Sequence, residues 1–464
     1  MSPPESSGSS QPKRRRTVEG SCWPCKQRRV KCDLQKPACR RCINSQTEDC
    51  SYDKVLLRWK KRPAKTVPEF HIQLSQAHTL NGLDLAVHER KAIDYFRARL
   101  WPLFSTLDEP CPPPVALALR SQPVLQALCV FAEEHRALQE KESSPQALSK
   151  RRTHCLATIR SHLGGGNPEN AALSALLVAV LLLYFLEGYL NCNNDGASTH
   201  CHFAGVLAII NALGGFQAAW ASSDRITRML LSEMASTDLT DALLQDRPPS
   251  FPATIWNYME AGSVWWETVP GSRTLASVFS TMAEMSFYRH KIQNGEEFCI
   301  DQVQAFERAL QPSYPTTDDA TESGTSGDKG TALSEPTIAA SLSLIIAFQH
   351  AALIYLYSAI QNIPAKHALV QQHVGACLEC IQGMDPRSKA QNCALFPLYV
   401  AGAHSLDETQ RTYVSETLSK IHKNLQFESV LAVQTTLDSV WQSSHGPTTW
   451  TESFKDTATS TLVI

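Results

Sequence analysis

Six of the chain's 15 cysteines fall between residues 22 and 50, spaced C-x2-C-x6-C-x6-C-x2-C-x7-C at Cys22, Cys25, Cys32, Cys39, Cys42 and Cys50. The run is an internal repeat, C-x2-C-x6-C followed by C-x2-C-x7-C, in a segment with almost no hydrophobic residues to form a core. A C-x2-C turn offers two thiolates to one metal ion, and the third cysteine returns to the same place after a short helix. Six thiolates cannot fill two separate tetrahedral zinc sites, so two sulfurs must be shared between the ions. The symmetry of the repeat makes Cys22 and Cys39 the sharers. A single structural zinc held by four of the six is the alternative, and it strands two thiols. The odd cysteine count, and an N-terminus (MSPPESSGSSQP) without an apolar signal-peptide core, argue for metal or buried thiols over a disulfide framework and against secretion.

Charge separates the same segment from the rest. Residues 1–65 hold 17 Lys and Arg against 6 Asp and Glu, a net of +11, whereas the remainder holds 26 against 39, a net of −13. A basic head on an acidic body points to a polyanion, most often nucleic acid, as the partner of the head alone. Between Cys25 and Cys32 the run Lys26 to Lys31 lacks Gly and Pro, and it predicts about a turn and a half of helix, too short to hold without the metal. Metal binding then supplies the folding free energy of the head. The first half-repeat carries Lys26, Arg28, Arg29 and Lys31, and the second carries Arg40 and Arg41 but ends on Glu48-Asp49. Phosphate repels that acidic end, so the first half is expected to face DNA.

These residues resemble the fungal binuclear zinc-cluster (six-cysteine) transcription factors over residues 22–50, with all six cysteines at allowed spacings, the basic run Lys26-Gln27-Arg28-Arg29-Val30-Lys31 and Pro37 in the connecting loop. The resemblance implies two zinc ions per chain. It also implies a helix in the major groove whose adjacent basic pair, here Arg28-Arg29, reads a CGG-type triplet. Arginine on a guanine edge is the commonest base-specific contact. Lys26, Lys31, Arg40 and Arg41 are assigned to phosphates, which position without reading sequence. Lys13 to Arg16 read better as a nuclear-import tag, and Arg58, Lys60, Lys61, Arg62 and Lys65 fit either import or phosphate contact. Residues 66–90 contain Pro68 and Gly82 and show no sustained heptad, so no dimerising coiled coil is expected there.

From about residue 85 the pattern is helical. Ile93, Phe96, Leu100 and Leu103 recur at helical spacing, as do Val414, Leu418, Ile421 and Leu425 after an expected capping box of Ser405 with Glu408. Two apolar stretches, Ala171 to Leu186 and Leu342 to Ile360, are read as buried helices, not bilayer spans. Gly164 to Pro168 and Arg247-Pro248-Pro249 mark interhelical loops, and Tyr314 to Pro336 has the composition of a disordered insertion. His200-Cys201-His202 reads as a loop and helix start, Cys377 and Cys380 as buried thiols, and Trp256, Tyr258, Trp265 and Trp266 as core packing. The body also resembles, more loosely, the second type of fungal-specific regulatory domain, through the apolar helix ending in Glu187, His202-Phe203-Ala204-Gly205 leading to Gly214-Gly215, and Phe396 to Gly402.

The expected fold is therefore mostly all-α, with a small binuclear zinc-cluster domain at the N-terminus followed by a large all-helical regulatory domain. The expected divisions are a disordered basic tail (1–17), the cluster domain (18–54), a linker (55–84), the regulatory domain (85–445, with the insertion at 314–336) and a C-terminal tail (446–464). The expected function is a nuclear, sequence-specific DNA-binding regulator of transcription by RNA polymerase II, controlling metabolic or biosynthetic genes. Double-stranded DNA is its partner, co-regulators or a small-molecule effector act through the body, and no membrane is involved. The alternative is a DNA-tethered metabolite sensor, scaffold or repressor without activation function. No nucleophile and base stand at a recognisable spacing, and an all-thiolate cluster leaves no open metal position, so no catalysis is expected.

Overall fold

The computed structural model describes residues 21–28, 30–45, 50, 85–107, 111–140, 145–163, 169–192, 197–259, 263–269, 272–312, 333–385, 387–443, 449–457 and 461–464. The chain divides into two units, Met1–Thr79 and Leu80–Ile464, and all regular structure among the described residues is helical.

In the first unit, helix α1 (Trp23–Arg28) and helix α2 (Arg40–Asn44) are joined by a loop with a cis Lys36–Pro37 bond. The apolar centre consists of the cysteines: Cys22, Cys25, Cys32, Cys39 and Cys42 are buried, with Val30 and Cys50 packed against them. Helix α1 starts earlier than the basic run suggested, before Cys25, because Pro24 is tolerated in a first turn, where its missing N–H is not needed. Lys31 consequently lies beyond the helix.

The second unit has one continuous core running from Leu85 to Ile464. Helix α3 (Val87–Tyr95) passes into a π-turn over Phe96–Leu100 and a 3-10 turn over Trp101–Phe104, keeping Ile93, Phe96 and Leu100 buried. Helices α4 (Gln122–Glu140), α5 (Pro145–Leu163), α6 (Asn170–Leu190) and α7 (Ala197–Ala212) follow, α4 packing on α5 and α6, and α6 on α7. Helix α8 (Arg225–Leu244) is capped by Asp224, whose carboxylate accepts from the Thr227 N–H at 2.8 Å.

Helix α9 (Leu275–Gln293) packs on the 3-10 segment Ala253–Tyr258, and it buries Phe279 among Trp256, Trp265 and Trp266. Helix α10 (Ile300–Leu310) buries one face through Val303, Phe306 and Leu310. Helix α11 (Glu335–Tyr355), extended by a π-turn to Ile360, packs with α12 (Ala368–Gln382) and α13 (Leu395–Ala403). Helices α14 (Glu408–Leu425), α15 (Glu428–Gln442) and α16 (Trp450–Phe454) complete the unit.

Helices α6 and α11 are long and apolar enough to cross a bilayer, yet 83% and 72% of their most apolar windows are buried within this core. A helix that is apolar on every side needs such an enclosure. Trp256, Trp265 and Trp266 are buried, and Cys377 points its thiol at the carbonyls of Ala347 and Pro397. His200 to His202 lie within α7, with Cys201 exposed.

Three expectations change in the second unit. The expected capping box does not form: Asp407 caps α14 by accepting from the Thr409 N–H, while Ser405 donates to the Ala401 carbonyl at the end of α13. Helix α11 starts at Glu335 under a Ser334 cap, so the last residues of the expected insertion are helical. The residues set apart as a tail from 446 contribute to the core, with Trp450, Phe454, Leu462, Val463 and Ile464 buried. The Thr240 hydroxyl donates to the Val463 carbonyl at 2.6 Å, and the N–H groups of Leu462 and Leu395 donate to the carbonyls of Gly188 and Ile464. Gly164 to Pro168, most of the insertion, the import-type basic groups and most of 66–90 lie outside the described residues.

Candidate metal centre

The cysteine sulfurs approach one another without bonding. Cys22 Sγ lies 3.6 Å from Cys39 Sγ, 3.6 Å from Cys42 Sγ and 3.8 Å from Cys32 Sγ. Cys25 Sγ lies 3.7 Å from Cys39 Sγ and 4.0 Å from Cys42 Sγ. A disulfide needs about 2.05 Å. A zinc ion bound tetrahedrally at about 2.3 Å spaces its sulfurs about 3.8 Å apart, so these separations are the edges of thiolate tetrahedra. The donor set therefore fits zinc. Cys22, Cys25, Cys39 and Cys42 form one group that could hold an ion, and Cys32, Asp33 and Cys39 form a second, with Cys39 common to both.

The backbone turns its donors toward these sulfurs. Cys39 caps α2, its Sγ accepting from the Cys42 N–H at 3.3 Å, while the Cys39 N–H donates to Cys50 Sγ at 3.2 Å and the Leu34 N–H to Cys32 Sγ at 3.4 Å. Burial pushes the thiols of Cys25 and Cys42 up to about 12 and that of Cys22 higher still. For Cys39 and Cys50 burial acts in the same direction, but N–H and thiol donors outweigh it and the net shift is downward. The raised thiols keep their protons unless a divalent cation displaces them, and the lowered ones lie nearer the thiolate form that a metal binds.

The expected nucleic-acid side chains are placed unequally. Lys31, Arg40 and Arg41 are exposed. The Arg40 N–H donates to Asp33 Oδ2 at 3.1 Å, fixing the start of α2. Lys26 belongs to α1, and Arg29 lies outside the described residues. Arg28 is engaged by the protein: Nη1 donates to Ser45 Oγ at 2.7 Å, Nη2 to Cys42 Sγ at 3.4 Å and Nε to the Pro24 carbonyl at 3.3 Å. Asp33 and Ser45 were not singled out from the sequence. Neither has a spacing signature, since their partners lie seven and 17 residues away.

The second unit contains a cavity of about 330 Å³ between α6, α7 and α8, walled by Tyr184, Phe203, Leu207 and Leu462, with Asp241 and Arg247 on its polar side. The Arg247 guanidinium holds both Asp238, at 2.9 Å, and Asp241, at 2.6 Å.

Comparison with known proteins assigns both units. Residues 92–463 match the fungal specific transcription factor domain, and residues 20–58 match the fungal Zn(2)-Cys(6) binuclear cluster domain. A curated relative, arginine metabolism regulation protein II of Saccharomyces cerevisiae, is 38% identical over 90 residues, covering 18% of this chain and 10% of that protein. The chain thus spans about a tenth of the relative's length in the match, and no solved structure matches it.

Proposed function

The chain belongs to the family of fungal-specific transcription factors, and from that premise we propose that it is a nuclear, sequence-specific DNA-binding regulator of transcription by RNA polymerase II. The family is one of regulators, not enzymes, and the cofactor is zinc, two ions per chain. The observation that carries the proposal is the set of Sγ separations of 3.6 to 4.0 Å, which suits shared thiolate tetrahedra. All six cysteines serve as ligands in this reading. Cys22 and Cys39 are the shared sulfurs, a role supported by the reach of Cys22 to Cys32, Cys39 and Cys42, and by the place of Cys39 in both candidate groups.

The first half-repeat enters the major groove and reads a CGG-type triplet. Because the Arg28 fork is taken up within the protein, guanine recognition falls on Arg29 of the expected pair. Lys26, Lys31, Arg40 and Arg41 neutralise phosphates of double-stranded DNA. The helical unit, acidic and so repelled by phosphate, takes the regulatory role toward co-regulators or a small-molecule effector. The relative named for regulation of arginine metabolism supports metabolic or biosynthetic genes as the target class.

Genome-wide mapping of sites bound by the full chain, paired with expression profiles after deletion, tests the proposal. Bound sites enriched in CGG-type triplets beside genes whose expression changes are expected; sites without such triplets overturn the reading.

A further inference from the structure

Arg28 ends α1, and its guanidinium crosses from the first half-repeat to the second. One nitrogen stays with its own helix at the Pro24 carbonyl, one reaches Cys42 Sγ and one reaches Ser45 Oγ. The Ser45 hydroxyl is itself anchored, donating to the Arg41 carbonyl at 2.7 Å at the end of α2. The same side chain therefore joins the only two helices described in this unit and rests a positive charge on a cluster sulfur.

We propose that Arg28 is a positioning residue of the metal centre, a clamp between the two half-repeats whose contact with Cys42 sets how firmly zinc is held. This rests on the zinc-cluster reading and extends it. Two zinc ions and six thiolates sum to −2, a buried negative charge that a neighbouring cation offsets, and among the described residues the Arg28 guanidinium reaches one of these sulfurs directly. A hydrogen bond from a cation to a thiolate is stronger than one between neutral groups. Partners of this kind around metal ligands typically govern affinity by about 10–100-fold. The geometry also needs arginine specifically. A planar fork reaches two acceptors at fixed spacing, whereas a lysine ammonium is a single point. A fork held by Cys42 and Ser45 is also not free to pair with the two acceptors of a guanine edge.

The test uses the full chain carrying Arg28→Ala, Arg28→Lys, Ser45→Ala or Arg29→Ala. Three quantities are read: the rate of zinc transfer to a chromogenic chelator, the sulfur-to-metal charge-transfer band of the cobalt-substituted protein, and the ratio of affinities for CGG-containing and scrambled duplexes. Arg28→Ala is expected to release zinc about 10–100-fold faster, to shift the band, and to weaken both duplexes by a common factor. Arg28→Lys restores part of the charge effect but not the wild-type rate. Ser45→Ala moves release in the same direction without removing a charge. Arg29→Ala leaves release and band unchanged and loses the ratio. An Arg28→Ala chain with wild-type release and band but a lost ratio overturns the proposal and makes Arg28 a base reader. Should Arg28→Ala take up no zinc, wild-type release in both Arg28→Lys and Ser45→Ala overturns it equally. A wild-type chain that binds both duplexes alike overturns the CGG reading, while zinc release still decides the role of Arg28.

Discussion

Leu462 lies directly against Gly188: a Cβ placed on the glycine would overlap Leu462 Cγ and sit 2.5 Å from its Cδ1. The contact is fixed from both sides, because the Leu462 N–H donates to the Gly188 carbonyl and neighbouring Val463 is bonded to Thr240. These backbone bonds hold Leu462 beside the glycine, so a new methyl group has to push the leucine side chain or the segment that carries it aside. Gly188→Ala should therefore displace the segment and destabilise the helical unit by about 1–3 kcal/mol, the usual penalty of overpacking. Gly375, in α12, has open space where its Cβ would be. Gly375→Ala should instead stabilise by roughly 0.5–1 kcal/mol through helix propensity alone. Urea unfolding of the full-length variants, followed by far-ultraviolet circular dichroism, checks the opposite signs; equal effects would refute the packing argument.

Much of this fold was legible in periodicity. Val414, Leu418, Ile421 and Leu425 announced α14 and are all buried, and the apolar runs of α6 and α11 announced enclosed helices. What periodicity could not announce were choices between equivalent local candidates and contacts far apart in sequence. Both Ser405 and Asp407 have cap chemistry, and the choice falls to Asp407 because Ser405 is already bonded to the end of the preceding helix. The burial of Leu462 to Ile464 depends on partners more than 200 residues away, such as Thr240, so a weakly patterned tail looked separate. In the head, spacing points to the six cysteines as candidate ligands and leaves the engagement of Arg28 invisible, because a side-chain fork has no sequence period.

Removing zinc separates the two units thermodynamically. Among the described residues the buried centre of the first unit consists of cysteines with Val30 against them, whereas the second unit has a large apolar core. A strong chelator should abolish DNA binding and make the head cysteines reactive to alkylation, leaving the helical signal of the body almost intact. Zinc content per chain then discriminates among the ligands. Cys22→Ala and Cys39→Ala, at the shared positions, should lose both ions, whereas Cys50→Ala should retain about one. Equal stoichiometry in all three variants would exclude the proposed sharing.

Salt dependence divides phosphate contacts from base contacts. Lys31→Ala should weaken CGG-containing and scrambled duplexes by the same factor and reduce the slope of log affinity against log salt by about 1. Arg29→Ala should instead cost about 1–3 kcal/mol on the CGG-type duplex beyond its loss on the scrambled one. Titrations at several salt concentrations measure both quantities, and an unchanged preference in Arg29→Ala would move base reading elsewhere.

Glu233 gives the helical unit a pH dependence of unusual sign. The carboxyl is buried in α8 and accepts a hydrogen bond from Tyr189 at 2.5 Å, and its burial raises it to about 7 from a starting value of 4.5. Between those values the folded chain keeps a proton that the unfolded chain has released, so stability falls as pH rises through the window and levels off above it. The full difference is on the order of 3 kcal/mol, from the free-energy equivalent of each pKa unit. Glu233→Gln preserves an acceptor for the Tyr189 hydroxyl and removes the titration. The variant should match wild type near pH 4.5, exceed it near pH 8 and show a flatter profile between them. Stability measured across this range by urea unfolding decides the matter: a parallel profile in Glu233→Gln would show that Glu233 is not the group responsible. Glu187, raised to about 7 by burial against the favourable pull of Arg152, contributes a slope of the same sign. Its replacement by Gln in the Glu233→Gln background should therefore raise stability near pH 8 relative to pH 4.5 by a further increment.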